Sequence, residues 1–350
     1  MSDSIDRKTN QAMERLAGSI IEFIAVGRSL RIIEANVGQQ TFNCLSKVCL
    51  PNENIMSGSM FEGMPDNLCG DVDQMMTKPI FPVVRWPSQA VVNIHECGYV
   101  MAEPNPSNPA YLKLKVVDKD ILHEDVRITV DNGYMKSTDF IDALHHDLKK
   151  GGIRVYKTEG PSNVSAAPID SILKTTRDVV VCLKCQSWPP ITDDFFTRER
   201  LNKWPSQDLL NTISDLDCFV VPIGHPGTDS KDNEWRLSFS VAEKKLIHEM
   251  CEPYFNCMIA LKALKNKHFV PSDPDKPTSF CSYFIKTACL WMCETFPNND
   301  YSLMDLIRKI LDWLIDCYQQ KKLPHYFIPR QNLIGHHSRE LCEETGIKLG

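Results

Sequence analysis

Residues 57–73 read Ser57-Gly-Ser-Met-Phe-Glu-Gly-Met-Pro-Asp-Asn-Leu-Cys-Gly-Asp-Val-Asp73, and the architecture turns on them. A small-residue turn, Gly58-Ser59, opens it, and two carboxylates, Asp71 and Asp73, close it. Successive side chains of a β-strand point to opposite faces. Asp71-Val72-Asp73, running on into Gln74-Met-Met76, therefore turns both carboxylates to one side. Carboxylates aimed at one point repel each other, and a divalent cation best offsets that repulsion. The Gly-Ser turn offers backbone N–H groups and a hydroxyl to a phosphate. Together these features suggest metal-assisted phosphoryl transfer, with Mg²⁺ between protein carboxylates and a triphosphate. On these residues alone the competing reading, an acidic surface turn without a ligand, stays open.

Working outward, the chain has 350 residues, enough for one large or two moderate domains with a sizeable core. A hydrophobic content of 43% with 24% charged residues is ordinary for a soluble globular protein. No apolar run approaches the roughly 18–20 residues of a membrane span, and Met1-Ser-Asp-Ser-Ile-Asp-Arg-Lys has no signal-peptide core, so no membrane partner is expected. The 14 cysteines are scattered rather than arranged as a small disulfide scaffold, which leads us to expect reduced thiols and a cytoplasmic location. A net charge of −6 argues against a uniformly basic surface, so a nucleic-acid contact would need a local patch.

Apolar spacing predicts one long helix over 5–47, with Arg7, Lys8, Arg15, Arg28 and Arg31 on its polar face. Strands are expected at 81–84, 90–94 and 112–117, and a helix from Thr138 to Lys150, stopped by Gly151-Gly152. Thr176-Arg-Asp-Val-Val-Val-Cys-Leu-Lys-Cys185 reads as an apolar strand carrying one acid, Asp178. A carboxylate among valines is expensive to bury unless it is paired or ligates a metal; an acid at the exposed end of the strand is the alternative. Cys182 and Cys185 fall on opposite faces of that strand, which argues against shared chelation of zinc. From about 201 onward the pattern turns helical, with helices over 241–250, 254–265, 279–295 and 303–320. The expected architecture is an α/β lobe over 1–200 with a mixed β-sheet, a helical lobe over 201–350, and a cleft between them.

With those pieces in place, the chain resembles the cyclic GMP-AMP synthase-like receptors of the Mab-21 nucleotidyltransferase family. The resemblance rests on Gly58-Ser59, the Asp71/Asp73 pair, Asp178 on its own strand, and Val221-Pro-Ile followed by Glu234-Trp-Arg-Leu-Ser-Phe-Ser240 and Glu243-Lys244. Ser282-Tyr-Phe-Ile-Lys-Thr287 and Tyr326-Phe-Ile-Pro-Arg-Gln-Asn-Leu333 extend it nearly to the C-terminus. What it implies is a bilobed nucleotidyltransferase fold with a long N-terminal spine helix and the active site in the cleft. Such an enzyme joins two nucleoside triphosphates, ATP and GTP, into a cyclic dinucleotide messenger for innate immune (STING) signalling. Asp71, Asp73 and Asp178 match the family's catalytic acids, which hold two Mg²⁺ ions, with Mn²⁺ able to substitute. Gly58 and Ser59 match the triphosphate clamp, and Arg236, Ser238, Ser240 and Glu243 match one side of the nucleotide pocket. Lys262, Ser282, Tyr283 and Lys286 match the far wall, where the tyrosine ring stacks on a base and the lysines meet phosphates.

Departures from the family pattern shape the remaining expectations. The synthase's His/Cys zinc ribbon has no counterpart here; His248, Cys251 and Cys257 are too few, so no structural zinc is expected. That shifts the expected activator from DNA toward double-stranded RNA. Val180 stands where the synthase carries a hydroxyl residue that touches guanine, which leaves the base preference open. An activator surface is expected at Arg15, Arg28 and Arg31 with Lys149, Lys150 and Arg154, acting through the loop after Ser59; assembly into an oligomer on the ligand is compatible with it. The alternative is a non-catalytic Mab-21-type protein that keeps the fold for nucleotide or partner binding. Retention of all three acids with Gly-Ser favours the enzyme.

Overall fold

The computed structural model describes residues 28, 31–37, 39–40, 53–64, 72–87, 98–150, 153–159, 163–168, 177–269, 279–296 and 301–350. Residues 31–37 are helical; most of the helix expected over 5–47, like the strand expected at 90–94, lies outside the described residues. β1 (Glu53–Ser57) turns through the single helical turn α1 (Gly58–Phe61) and returns toward β2 (Val72–Thr77), its antiparallel partner. β3 (Val83–Arg85), β4 (Tyr99–Pro104) and β5 (Tyr111–Val116) follow, then the small β6 (Val130–Asp131) and β7 (Tyr134–Met135) hairpin and helix α2 (Ser137–Lys150). Next come the hairpin β8 (Ile153–Glu159) and β9 (Asn163–Pro168), β10 (Arg177–Val181) and β11 (Leu183–Lys184).

Two sheets result. One has the order β1-β2-β10-β9-β8, in which only β2 and β10 are parallel. The other is built on β11, β12 (Phe219–Val221), β13 (Trp235–Ser238), β5, β4 and β3. β10 and β11 are one strand run broken at Cys182, whose N–H donates to Met76 O at 3.0 Å, so the chain passes from one sheet directly into the other. The expected mixed sheet is thus a pair of sheets sharing a strand run.

The alternation of β13 is a physical consequence of its composition. Trp235 and Leu237 are buried in the core, while Arg236 and Ser238 face the opposite side. Cys182 packs with Met75, Phe219 and Val221, whereas Cys185 belongs to the main core, so the two thiols point into different clusters.

After β13 come α3 (Ser240–Glu249), α4 (Glu252–His268), α5 (Ser282–Thr295), α6 (Leu303–Gln319) and α7 (Arg339–Leu349). The helical pattern expected from 201 onward is therefore interrupted by two strands that complete the second sheet, after a first helix at Gln207–Ser214. Strands of three and four residues are too short for a periodic signal. α6 starts with a capping box: Ser302 Oγ accepts from Asp305 N at 3.2 Å and Asp305 Oδ2 accepts from Ser302 N at 3.3 Å. α7 is capped by Ser338 Oγ, which accepts from Leu341 N at 3.1 Å. The main core runs unbroken from sheet residues such as Val84 and Leu114 to helix residues such as Leu246, Phe255, Cys289 and Ile310. Among the described residues no helix is long and apolar enough to cross a membrane.

Candidate active site

A cleft of about 530 Å³ opens between the sheets and helices α3, α4 and α5. Ser57, Gly58, Ser59 and Asp73 line one end, Arg236, Ser238, Ser240 and Glu243 one wall, and Lys262, Ser282, Tyr283 and Lys286 the other. Residues far apart in the chain thus meet around one space. The expected pocket residues that lie among the described residues all reach it.

The acids come from the parallel pair β2 and β10. Asp73 stands opposite Asp178, and Met75 opposite Val180, in register. Neighbouring strands lie about 4.8 Å apart, so the two carboxylates sit side by side on one face. Asp178 is buried, at 7% exposure, and does not line the cleft itself, whereas Asp73 does. Gly58 explains its own presence. Its φ is +74°, and a Cβ built on it would overlap the Asp73 carboxylate, so only glycine lets the turn lie on the acid. Two hard oxygen donors on neighbouring strands, one of them buried, are chemically suited to Mg²⁺. Among the described residues no group of three or more His, Cys, Asp or Glu is gathered for a metal. Asp71, the third acid of the expected set, lies outside them.

Opposite the acids, the cations are held by protein partners. Lys262 Nζ donates to Ser59 Oγ, and Lys244 Nζ donates to Met56 O at 2.9 Å. Lys286 is ion-paired with Glu62 and, at 3.1 Å, with Glu243. Burial works against the Lys286 charge, but Glu62 and Glu243 more than compensate and push its pKa up. Burial alone would raise the Glu243 carboxyl; Lys286 beside it, with help from the Tyr283 hydroxyl, holds it below its ordinary value. Tyr283 O–H donates to Glu243 Oε1 at 3.1 Å and its oxygen meets His325 Nε2 at 3.0 Å. Burial, reinforced by the Glu243 charge, raises the Tyr283 hydroxyl well above its ordinary value. Burial lowers His325 to about 4, so the imidazole is neutral at pH 7.

The β13 alternation delivers Arg236 and Ser238 to the cleft, and Ser240 follows at the start of α3. Ser238 Oγ is 3.4 Å from Ser240 Oγ, and both hydroxyls lie against Met75 Sδ, at 3.6 and 3.3 Å. Val180 lines the same space, so an apolar side chain occupies the position flagged for its missing hydroxyl.

Of the expected activator surface, the side chains of Arg28 and Arg31 are the described ones, and both are bonded to backbone carbonyls. Arg28, read as a surface contact, is turned inward. Its guanidinium donates to Ile247 O at 2.6 Å, Met250 O at 2.9 Å and His248 O at 3.3 Å, and lies 3.9 Å from the Phe255 ring centroid. These carbonyls belong to the last turn of α3 and the residue just past it, where a cation is favourably placed. Arg31 Nε likewise donates to Gly63 O at 3.0 Å, at the start of the loop after Ser59. Helical spacing identifies an arginine's face but not what packs against it. Arg15 lies outside the described residues; Lys149 and Lys150 end α2, and Arg154 stands near the start of β8.

Sequence reasoning missed Glu62 and His325, both buried and both tied into the cleft network. Neither carries a periodic signal; His325 merely precedes the Tyr326–Leu333 block. Gln331 and His336 also line the cleft.

Comparison with known proteins adds to this geometry. Residues 155–249 match the family described as the Mab-21 protein nucleotidyltransferase domain, and residues 254–348 the Mab-21 protein HhH/H2TH-like domain. Asp178, Arg236, Ser238, Ser240 and Glu243 fall within the first match, and Lys262, Ser282, Tyr283 and Lys286 within the second. Gly58, Ser59, Asp71 and Asp73 precede both. A cyclic GMP-AMP synthase-like receptor of Magallana gigas is 30% identical over 172 residues. The aligned part is 45% of this chain and 27% of that receptor, well under two thirds of the relative's length.

Proposed function

The chain belongs to the Mab-21 family, with a nucleotidyltransferase domain followed by a helical domain, and from that premise we propose that it is a cyclic dinucleotide synthase of the receptor type. One observation carries the reading. Asp73 lies beside the Gly58-Ser59 turn at one end of a cleft whose other walls supply cations, hydroxyls and an aromatic ring, and Asp178 stands in register with it on the next strand. Two nucleoside triphosphates of the ATP and GTP type are the substrates, and the product serves innate immune signalling. The family matches meet between residues 249 and 254, which supports a catalytic domain that continues past 201 through β12, β13 and α3.

Asp73 and Asp178, with Asp71, would hold Mg²⁺. When bound there, the metal would supply positive charge to offset phosphate and to acidify an attacking hydroxyl. The rest of the chemistry belongs to the chain's own residues. Ser59 Oγ and the backbone N–H groups of its turn bind the triphosphate, and Lys262, already bonded to Ser59, adds its charge there. Lys286 exchanges one carboxylate partner for a phosphate oxygen. The Tyr283 ring offers a base its face, a contact worth roughly 1–3 kcal/mol. Arg236, Ser238 and Ser240 hold the second nucleotide's polar edges, while Val180 contributes only apolar contact. The helical domain closes the cleft over both nucleotides and excludes water.

Activation by double-stranded RNA is the part of the proposal that rests on Lys149, Lys150 and Arg154. Incubation of the purified chain with labelled ATP, GTP, CTP and UTP and Mg²⁺ or Mn²⁺ tests the whole reading, alone and with double-stranded RNA or DNA. A phosphatase-resistant product that requires RNA is the expected result, and its label pattern names the bases. Nucleotide binding without product under every condition would instead establish a non-catalytic binding protein.

A further inference from the structure

The cleft contains a buried chain of hydrogen bonds that runs behind its nucleotide-facing residues and ends on Lys286. It begins at His325, on the loop between α6 and α7, which is only 5% exposed. Its Nδ1 accepts from two backbone N–H groups, Phe327 at 3.1 Å and Ile328 at 3.2 Å. An imidazole nitrogen that accepts twice carries no proton, so in the neutral ring the proton resides on Nε2. The Nε2–H then donates to the Tyr283 hydroxyl oxygen across 3.0 Å, and the Tyr283 O–H donates onward to Glu243 Oε1 at 3.1 Å. Glu243 Oε2 accepts from Lys286 at 3.1 Å, which closes the chain on the cation of the cleft. The imidazole is also gripped by rings, with Phe239 at 5.7 Å and Phe327 at 6.1 Å between centroids.

Direction matters in this chain. A phenol has one proton to give. With His325 donating to its oxygen, Tyr283 aims that proton at Glu243, and the proton is no longer available to a ligand. Both the rotation of the phenol and its hydroxyl are thereby committed, and only the ring face remains open toward the cleft. We propose that His325 is a positioning residue for nucleotide binding: by donating Nε2–H to Tyr283 it locks that ring as a stacking platform that reads no base edge. Selectivity between bases then lies with other cleft residues, and Tyr283 contributes equally to every nucleotide. The inference rests on the nucleotide-binding reading of the cleft and adds to it a residue and a rule of specificity.

The test uses the full chain and equilibrium titration with ATP and with GTP, in the presence of Mg²⁺. His325→Asn keeps an acceptor near the Nδ1 position for the Phe327 and Ile328 N–H groups but cannot reach Tyr283, whereas Tyr283→Phe keeps the ring and loses the hydroxyl. Each is expected to weaken ATP and GTP binding by the same factor, roughly 3- to 10-fold for one lost hydrogen bond. The double variant is expected to be no worse than either single one, because both cut the same link. Independent losses that multiply would overturn the proposal, as would a loss confined to one base, since the hydroxyl would then be reading an edge. Nitrogen-15 spectra of the nucleotide-free chain supply a second readout: His325 protonated on Nε2, with a resonance that moves in Tyr283→Phe. A proton on Nδ1 would refute the chain itself. A correct tautomer with no nucleotide binding by the wild type would instead refute the reading of the cleft and, with it, any role for His325 there.

Discussion

Replacing Arg28 with alanine removes more than a charge. The side chain bonds three carbonyls at the end of α3 and lies over the Phe255 ring at the start of α4, so it joins two consecutive helices. A hydrogen bond from a charged donor contributes about 1.5–3 kcal/mol and a cation over a ring about 0.5–2 kcal/mol. The sum is an upper bound, because burial opposes the guanidinium charge and lowers its pKa, and because water reaches part of the freed helix end. The expected loss is therefore about 3 kcal/mol. Arg28→Lys, which keeps charge without the planar fork, should recover less than half of it. Guanidinium unfolding followed by tryptophan fluorescence measures both. Trp235 and other core tryptophans report the event directly. A variant that unfolds with the wild type, within about 0.5 kcal/mol, would refute the assignment of Arg28 as a helix clamp and return it to the surface reading. If Arg28→Glu lost only ligand-stimulated turnover, the same conclusion would follow.

Further outcomes follow from the same geometry. Gly58→Ala should lower turnover at least about 100-fold with the fold retained, because the new Cβ must displace the Asp73 carboxylate and misplacement by about 1 Å is that costly; turnover near wild type would contradict the close approach. Asp73→Asn with Asp178→Asn should abolish product and weaken Mg²⁺ binding in calorimetry, and undiminished product would disprove the acid assignment. Stability should also fall on acidification. His325 is held near pKa about 4 in the fold against 6.5 when unfolded, so the unfolded chain takes up the proton first and stability declines as pH drops from about 6.5 toward 4. That contribution is about 3 kcal/mol at most, and His325→Asn should flatten this limb of the profile. Charge reversal at Lys149, Lys150 and Arg154 should remove RNA-stimulated turnover without moving the unfolding midpoint; unchanged stimulation would displace the activator surface.

Much of this was legible in the chain because it is local. The Asp73 and Asp178 strands follow from period-two alternation and valine content, and α4 to α6 from spacing of three and four. Gly58 announces a backbone requirement, although its cause, a carboxylate 15 residues on, is visible only in three dimensions. What escaped is long-range. Three-residue β12 has no pattern of its own and exists because β11 and β13 flank it. Arg28 shares its polarity with exposed arginines and differs only in meeting α3 more than 200 residues away. His325 looks like any histidine beside an aromatic run until two amides fix its tautomer.

One feature of the fold bears on how such a cleft opens. The strand run from Arg177 to Lys184 belongs to both sheets, interrupted by a single residue, Cys182, whose amide is bonded to Met76 O. Cys185 N is bonded in turn to Cys218 O at 2.8 Å, one residue before β12. A hinge between the two sheets would have to tear this seam. The floor with its acids and the wall with Arg236 and Ser238 therefore travel as one rigid body, and breathing of the cleft falls to the helices opposite. Access of a ligand to the cleft then becomes a matter of how far α4 and α5 swing away from a fixed sheet.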